Sequence, residues 1–142
     1  LGCTYCYAQQ GEFGGVAKNM AAEKANQAVD FLLNGAGRGA RLNLAFLGGE
    51  PLANRPVLRA TTRRAAGLAA QRGVTLNFSI TTNGTLLTAS DADFFEEFGF
   101  AVTVSLDGPR DAHDAQRPYK SGKGSFDLEA FRNTPHDRAL RY

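Results

Sequence analysis

Cys3-Thr4-Tyr5-Cys6 places two thiols three residues apart, and they are the only cysteines among 142 residues. That spacing suits a redox dithiol, half of a zinc site, or part of an iron–sulfur site. Zinc would need further ligands, and the only histidines, His113 and His136, lack the mutual spacing of a zinc finger. A thioredoxin-like dithiol opens a helix, whereas Cys6 runs into residues 7–15, which read as a loop. Iron–sulfur chemistry is therefore the favoured reading. The chain begins at Leu1 rather than Met, so a third thiolate is expected before it. Three later segments, Gly48-Gly49-Glu50-Pro51, Thr81-Thr82-Asn83-Gly84 and Asp107-Gly108-Pro109, each set a carboxylate or amide beside glycine. One such turn is weak evidence, because a tight strand-to-helix turn needs glycine for its backbone alone. Three in succession read as a binding rim. None has the spacing of a dinucleotide fingerprint or a phosphate loop.

The elements that position these segments alternate in period. Residues 41–47, 74–80 and 100–106 repeat apolar side chains every second position, as strands do. Between them lie helical patterns. Met20 to Asn34 carries a stripe of Ala21, Ala25, Ala28 and Leu32, stopped by Gly35. Asn54 to Arg72 carries Val57, Leu58, Thr61, Ala65, Leu68 and Ala69, stopped by Gly73. Arg55, Arg59, Arg63 and Arg72 fall off that stripe and read as a solvated face. Thr88-Ala89-Ser90-Asp91 has capping-box spacing before Phe94, Phe95 and Phe98, with Gly99 as the stop. After residue 126, Asp127 to Asn133 starts like another helix, and Thr134-Pro135-His136 interrupts it.

This order predicts an α/β fold with a parallel sheet and crossover helices. A doubly wound sheet would be apolar on both faces. Here one face carries Asn43, Ser79, Thr81, Thr103 and Ser105, which suits the inside of a (β/α) TIM-like barrel whose reactive residues sit at the C-terminal strand ends. Three strands cannot close a barrel, and a full one needs roughly 200 residues or more. The expectation is a partial barrel over residues 1–142, about half of one, lacking its first strand and later strands.

Composition narrows the function. Sixteen Lys+Arg against fourteen Asp+Glu leave a net charge of +2, and the twelve Arg are scattered, which argues against nucleic-acid binding. No apolar run approaches the roughly 18 residues of a membrane span, and no secretory leader is visible. Two cysteines at this spacing belong in a reducing compartment, here the cytoplasm.

In order, Leu1-Gly2-Cys3-Thr4-Tyr5-Cys6-Tyr7, the three strand-end segments, His113-Asp114-Ala115-Gln116-Arg117 and Gly122-Lys123-Gly124-Ser125-Phe126 resemble the radical S-adenosylmethionine enzymes. The match runs from Leu1 to about Asp127. Leu1 to Tyr7 looks like the end of the family's Cys-x3-Cys-x2-Cys motif, whose first Cys would lie two residues before Leu1. The later blocks are similar to the branch that modifies peptides and proteins: sulfatase maturases, a quinohemoprotein amine dehydrogenase maturase and thioether-forming maturases. Many of these carry a C-terminal SPASM or twitch cluster domain, which is not expected within residues 1–142.

The resemblance implies a 4Fe–4S cluster held by three thiolates, with S-adenosyl-L-methionine on the remaining iron. In the family, electron transfer to the sulfonium yields methionine and a 5′-deoxyadenosyl radical, which abstracts hydrogen from the substrate. It implies Cys3 and Cys6 as cluster ligands and Tyr5 packed near cluster and adenine. Gly48, Gly49 and Glu50 would meet the methionyl amino group, and Arg117 its carboxylate, where a guanidinium offers a bidentate fork. Ser105 and Asp107 would line the ribose or methionine, and Asn83 the inner rim. Blander readings stand beside two of these assignments, Asp107 as a turn cap and Asn83 as a turn former, and His113 with Asp114 are expected to order the loop before Arg117. Lys123 is expected in solvent. The implied partners are a peptide or protein substrate and an electron donor such as flavodoxin or ferredoxin. Rival readings are a cluster-free partial barrel without activity, and a zinc or dithiol protein.

Overall fold

The computed structural model describes residues 1–7, 14–16 and 18–126. The elements run α1 (Ala22–Asn34), β1 (Arg41–Phe46), a turn of 3-10 helix (Pro51–Asn54), α2 (Arg55–Arg72), β2 (Thr75–Thr82), α3 (Ala89–Glu97), β3 (Phe100–Val104) and α4 (Arg110–Gln116). The strands form one parallel sheet in the order β1-β2-β3. Leu44 lies opposite Phe78, and Phe78 opposite Phe100, so the apolar faces align across all three strands. The sheet is α/β and open at both edges among the described residues, as the alternating periods predict.

One face of the sheet makes the core. Phe78, Ile80 and Phe100 are buried against Leu58, Ala65, Phe94 and Phe95 of α2 and α3. Each such aliphatic or aromatic side chain contributes about 1.5–3 kcal/mol by leaving water. Aromatic rings fill the middle: Phe94 meets Phe98 at 4.7 Å and Phe95 meets Phe100 at 4.9 Å between centroids. The opposite face is open and polar. Asn43 and Thr103 are exposed, and Asn43 Nδ2 donates across the strands to Ser79 Oγ at 3.1 Å. No helix of the described residues is long and apolar enough to cross a membrane.

Several expectations are corrected. In α1 the buried residues are Ala25, Val29 and Leu33, while Ala21 and Ala28 are exposed and Leu32 is half-buried. The helix is turned by about one residue because Val and Leu bury more apolar area than Ala does. β2 continues to Thr82, so the period-2 pattern outlasts residue 80 and buries the Thr82 hydroxyl. A helix, α4, occupies 110–116, which lacks the apolar periodicity that marks the others. The helical pattern after residue 126 and its Pro135 interruption lie outside the described residues.

Of the α2 arginines expected on a solvated face, Arg63 is exposed, but Arg55 and Arg59 turn inward. Arg55 Nε and Arg59 Nη2 reach Asp91 Oδ1 at 2.8 and 2.9 Å, and Asp91 is only 1% exposed. Arg63 lies over the Phe94 ring at 5.1 Å, and Arg72 donates to Asn34. Asp91 also completes the expected capping box, accepting from the Thr88 N–H at 3.1 Å and the Thr88 hydroxyl at 2.7 Å. The cap of α3 is thereby bolted to α2.

Burial alone would raise the Asp91 carboxyl, but hydrogen bonds from Arg55, Thr88 and Arg59 outweigh it and hold it below its ordinary value. A carboxyl depressed in the folded state stabilises the fold above about pH 4 and loses that contribution as pH falls through the lowered native value. Asp91→Asn is expected to cost on the order of 3 kcal/mol at pH 7, and less in acid, where the wild type protonates too. Urea unfolding at pH 7 and pH 3 measures both; an equal cost at the two pH values contradicts the assignment.

Candidate functional site

The C-terminal ends of the three strands lie side by side because the sheet is parallel and in register. After β1 the backbone passes through Gly48 at φ 137°, a conformation that glycine alone adopts readily. Glu50 follows in extended geometry and caps the 3-10 turn, its Oε1 accepting from Leu52 N–H at 3.1 Å. The same oxygen accepts from the Thr82 hydroxyl at 2.7 Å, and Oε2 accepts from Asn83 N–H at 2.8 Å. Glu50 therefore ties the end of β1 to the end of β2. A carboxylate has about four lone-pair sites. Three donors leave Oε2 able to accept from a further cation.

At the end of β2, Thr82 Oγ1 also accepts from Gly84 N–H at 3.0 Å. Asn83 Oδ1 accepts from Thr85 N–H at 3.0 Å and from its hydroxyl at 2.7 Å, an Asx turn. The Asn83 oxygen thus serves the turn, leaving its amide NH2 as the group it can offer. Ser105 N–H donates to Thr82 O at 3.0 Å, extending strand pairing to the third end.

The cysteine turn docks beyond β3. Cys6 N–H donates to Cys3 O at 3.3 Å, so both thiols sit in one turn, partly exposed and outside any disulfide. Gly2 N–H donates to Pro118 O at 2.7 Å and Thr4 N–H to Gln116 O at 2.9 Å, with the Thr4 hydroxyl on Gln116 Oε1. Tyr5 donates its phenol proton to Asp107 Oδ2. Arg117 lies over the Tyr5 ring at 5.3 Å, its Nε 2.9 Å from the same carboxylate oxygen. That Nε–H is buried and makes no directed hydrogen bond among the described residues, so the Asp107 contact is one of charge rather than of alignment. Burial and the Asp107 hydrogen bond raise Tyr5 above its ordinary value. Burial would raise Asp107 as well, but Tyr5 and Arg117 outweigh it and hold it low.

Tyr5, Asp107, Arg117 and the cysteine turn thus form one cluster, and Glu50 with the 82–83 turn forms another. The strand bond from Ser105 to Thr82 joins them. No group of three or more Cys, His, Asp or Glu side chains converges as a metal site among the described residues. Three contributors have no role in the motif reading. Thr82 is found by carrying the period of β2 two residues further. Gln116 has no signal in its own segment. Ser125 connects to His113 and Arg117, across the strap formed by residues 119–126.

That strap lies close on α4. Phe126 N–H donates to Asp114 Oδ1 at 2.7 Å, and a Cβ on Gly124 would fall 2.3 Å from Asp114 Oδ2. Lys123 is exposed, as expected.

The profile of the radical SAM superfamily matches residues 1–129. The chain belongs to that superfamily. An uncharacterised protein of Methanocaldococcus jannaschii is 32% identical over 125 residues, 88% of this chain and 40% of its own length. The serine-type anaerobic sulfatase-maturating enzyme of Klebsiella aerogenes is 32% identical over 127 residues, 89% of this chain and 31% of the enzyme. Its Bacteroides thetaiotaomicron counterpart is 51% identical over 55 residues, 39% of this chain and 13% of the enzyme. The solved structure of native anSMEcpe with bound AdoMet superposes with a TM-score of 0.74 at 28% identity, over 92% of this chain and 35% of that one. Native anSMEcpe with AdoMet and the Kp18Cys peptide gives 0.69 at 29% identity, over 92% of this chain and 34% of that one. The chain thus spans well under half the length of these relatives.

Gly124→Ala is expected to cost about 1–3 kcal/mol by forcing the strap off Asp114. Thermal unfolding, with amide exchange at Phe126, reads both the cost and its place; an unchanged Phe126 amide contradicts it.

Proposed function

We propose that this chain is part of the core domain of a radical S-adenosylmethionine enzyme that modifies a peptide or protein in the cytoplasm. The observation that carries the reading is the strand-end arrangement itself. Glu50, a carboxylate with an acceptor site to spare, stands past the end of β1, and Arg117, which closes α4, brings a half-buried guanidinium to Asp107 past the end of β3. An amino acid moiety needs that pair of opposite charges.

The donor set fits the cofactors in part. Cys3 and Cys6, the only cysteines of these 142 residues, would hold two irons of a 4Fe–4S cluster, and the third thiolate would come from outside them. When bound, cluster and S-adenosylmethionine supply one-electron cleavage of the sulfonium and a radical able to take hydrogen from an unactivated carbon. The chain's own residues bind and orient. Glu50, with the exposed Gly48–Gly49 backbone, receives the methionyl ammonium. Arg117 receives the carboxylate, in a fork that Lys could not reproduce. Tyr5, fixed by Asp107, flanks the cysteine turn, while Ser105, Asp107 and the Asn83 amide line the adjoining rim. The open polar face of the sheet is the inner wall that leads to this rim.

The substrate class is taken from the sulfatase-maturating relatives, and an electron donor such as flavodoxin or ferredoxin completes the reaction. Neither nucleic acid nor membrane is needed.

The full-length enzyme, reconstituted anaerobically with iron and sulfide, is expected to be brown, to bleach with dithionite and to form 5′-deoxyadenosine from S-adenosylmethionine. Cys3→Ala or Cys6→Ala should abolish colour and product. Glu50→Gln should weaken S-adenosylmethionine binding about tenfold or more, the scale of one charge-assisted hydrogen bond. A colourless protein, or one with stoichiometric zinc and no cleavage, overturns the proposal in favour of the cluster-free or zinc readings.

A further inference from the structure

His113 is the buried histidine of the described residues, only 3% exposed, and both of its ring nitrogens are engaged. Nδ1 accepts from the backbone N–H of Asp107 at 3.3 Å. Nε2 lies 3.0 Å from Ser125 Oγ, and that hydroxyl donates to the backbone carbonyl of Arg117. A backbone amide can only donate, so Nδ1 keeps its lone pair and the proton sits on Nε2. Nε2–H then donates to Ser125, and Ser125 to Arg117. Every bond in this relay has a single direction.

The ends of the relay are informative. It starts at the backbone of Asp107 and finishes at the backbone of Arg117, the two residues whose side chains meet at 2.9 Å. A side-chain ion pair is thus spanned from behind by a buried ring and a hydroxyl. The ring is itself braced. Phe126 packs against it edge-on at 5.3 Å, and Arg110 lies over Phe126 at 5.2 Å. None of these bracing groups takes part in the binding roles assigned to the rim.

We propose that His113, as the neutral Nε2–H tautomer and acting through Ser125, is a positioning residue that sets the spacing of Asp107 and Arg117. It thereby fixes the Arg117 guanidinium for the carboxylate of an amino acid ligand. The spacing rests on geometry alone. Its effect on the ligand rests on the cofactor reading proposed above.

Three variants of the full-length protein separate the possibilities. His113→Phe keeps the ring volume and removes both links, His113→Asn retains an acceptor for the Asp107 amide, and Ser125→Ala cuts only the far link. Amide exchange at Asp107 should speed up about tenfold or more in His113→Phe and return most of the way to wild type in His113→Asn, one such hydrogen bond being worth about a factor of ten. In the reconstituted enzyme, S-adenosylmethionine should bind about tenfold more weakly to His113→Phe, raising KM while kcat and iron content hold, because ground-state positioning is what has been lost. Ser125→Ala should show a smaller rise with the Asp107 amide still protected, and it carries the test if His113→Phe does not fold. Unchanged Asp107 exchange in His113→Phe overturns the positioning role. Faster exchange with unchanged affinity overturns the link to Arg117. A wild type that binds no S-adenosylmethionine overturns the cofactor reading, while the exchange measurement still decides the spacing.

Discussion

The Asp107 carboxylate is the contact on which the site depends. It stands just past the end of β3 and takes the Tyr5 phenol proton and the charge of Arg117 on one oxygen. These two partners keep it ionised. The side chain of the cysteine turn is thereby joined to the third strand end, at a strength of about 1.5–3 kcal/mol for a charged hydrogen bond. Without it the backbone of the turn keeps its bonds to residues 116 and 118, and Tyr5 loses the hydrogen bond that fixes its phenol.

A division of labour follows from which groups are charged and where. Asp91 and Glu50 are both carboxylates that stitch elements together, but their surroundings differ. Asp91 is enclosed by two arginines and a helix cap, so its acceptor capacity is spent on the scaffold. Glu50 is hydrogen-bonded by two backbone amides and one hydroxyl, all neutral, and Arg55 acts on it only as a minor electrostatic partner, so most of its negative charge is left for the rim. That difference makes one residue architectural and leaves the other suited to a cation. The open sheet face repeats the contrast, with buried Phe and Ile on one side of β2 and Asn77 and Ser79 on the other.

Much of this is legible in the sequence, and the exceptions have a common cause. The strands, the parallel order, the α3 cap and the glycine stops are local signals, and local physics enforces them. The stripe of α1 reads one residue out of place because alanine marks helical period without marking burial. Arg55 and Arg59 of α2 read as solvated because Asp91 is already explained as a cap, and its second allegiance spans more than thirty residues. Helix α4 has Arg110, Asp111, His113 and Asp114 where an amphipathic helix would show an apolar stripe; contacts to the strap and to Asp107 hold it. At the site, the individual strand ends can be named from motifs. Their pairings cannot: Tyr5 with Asp107 and Thr4 with Gln116 join residues more than a hundred positions apart.

That long reach has a thermodynamic meaning. The cysteine turn docks against residues 116–118, so its docking closes a loop of more than a hundred residues. Closing so long a loop costs several times RT, a cost that grows only slowly with further length. Occupancy of the turn and folding of the chain's far side are therefore one linked equilibrium. Whatever binds the folded turn stabilises the three-strand scaffold by mass action, and whatever loosens the strap on α4 lowers affinity at the opposite end of the sequence.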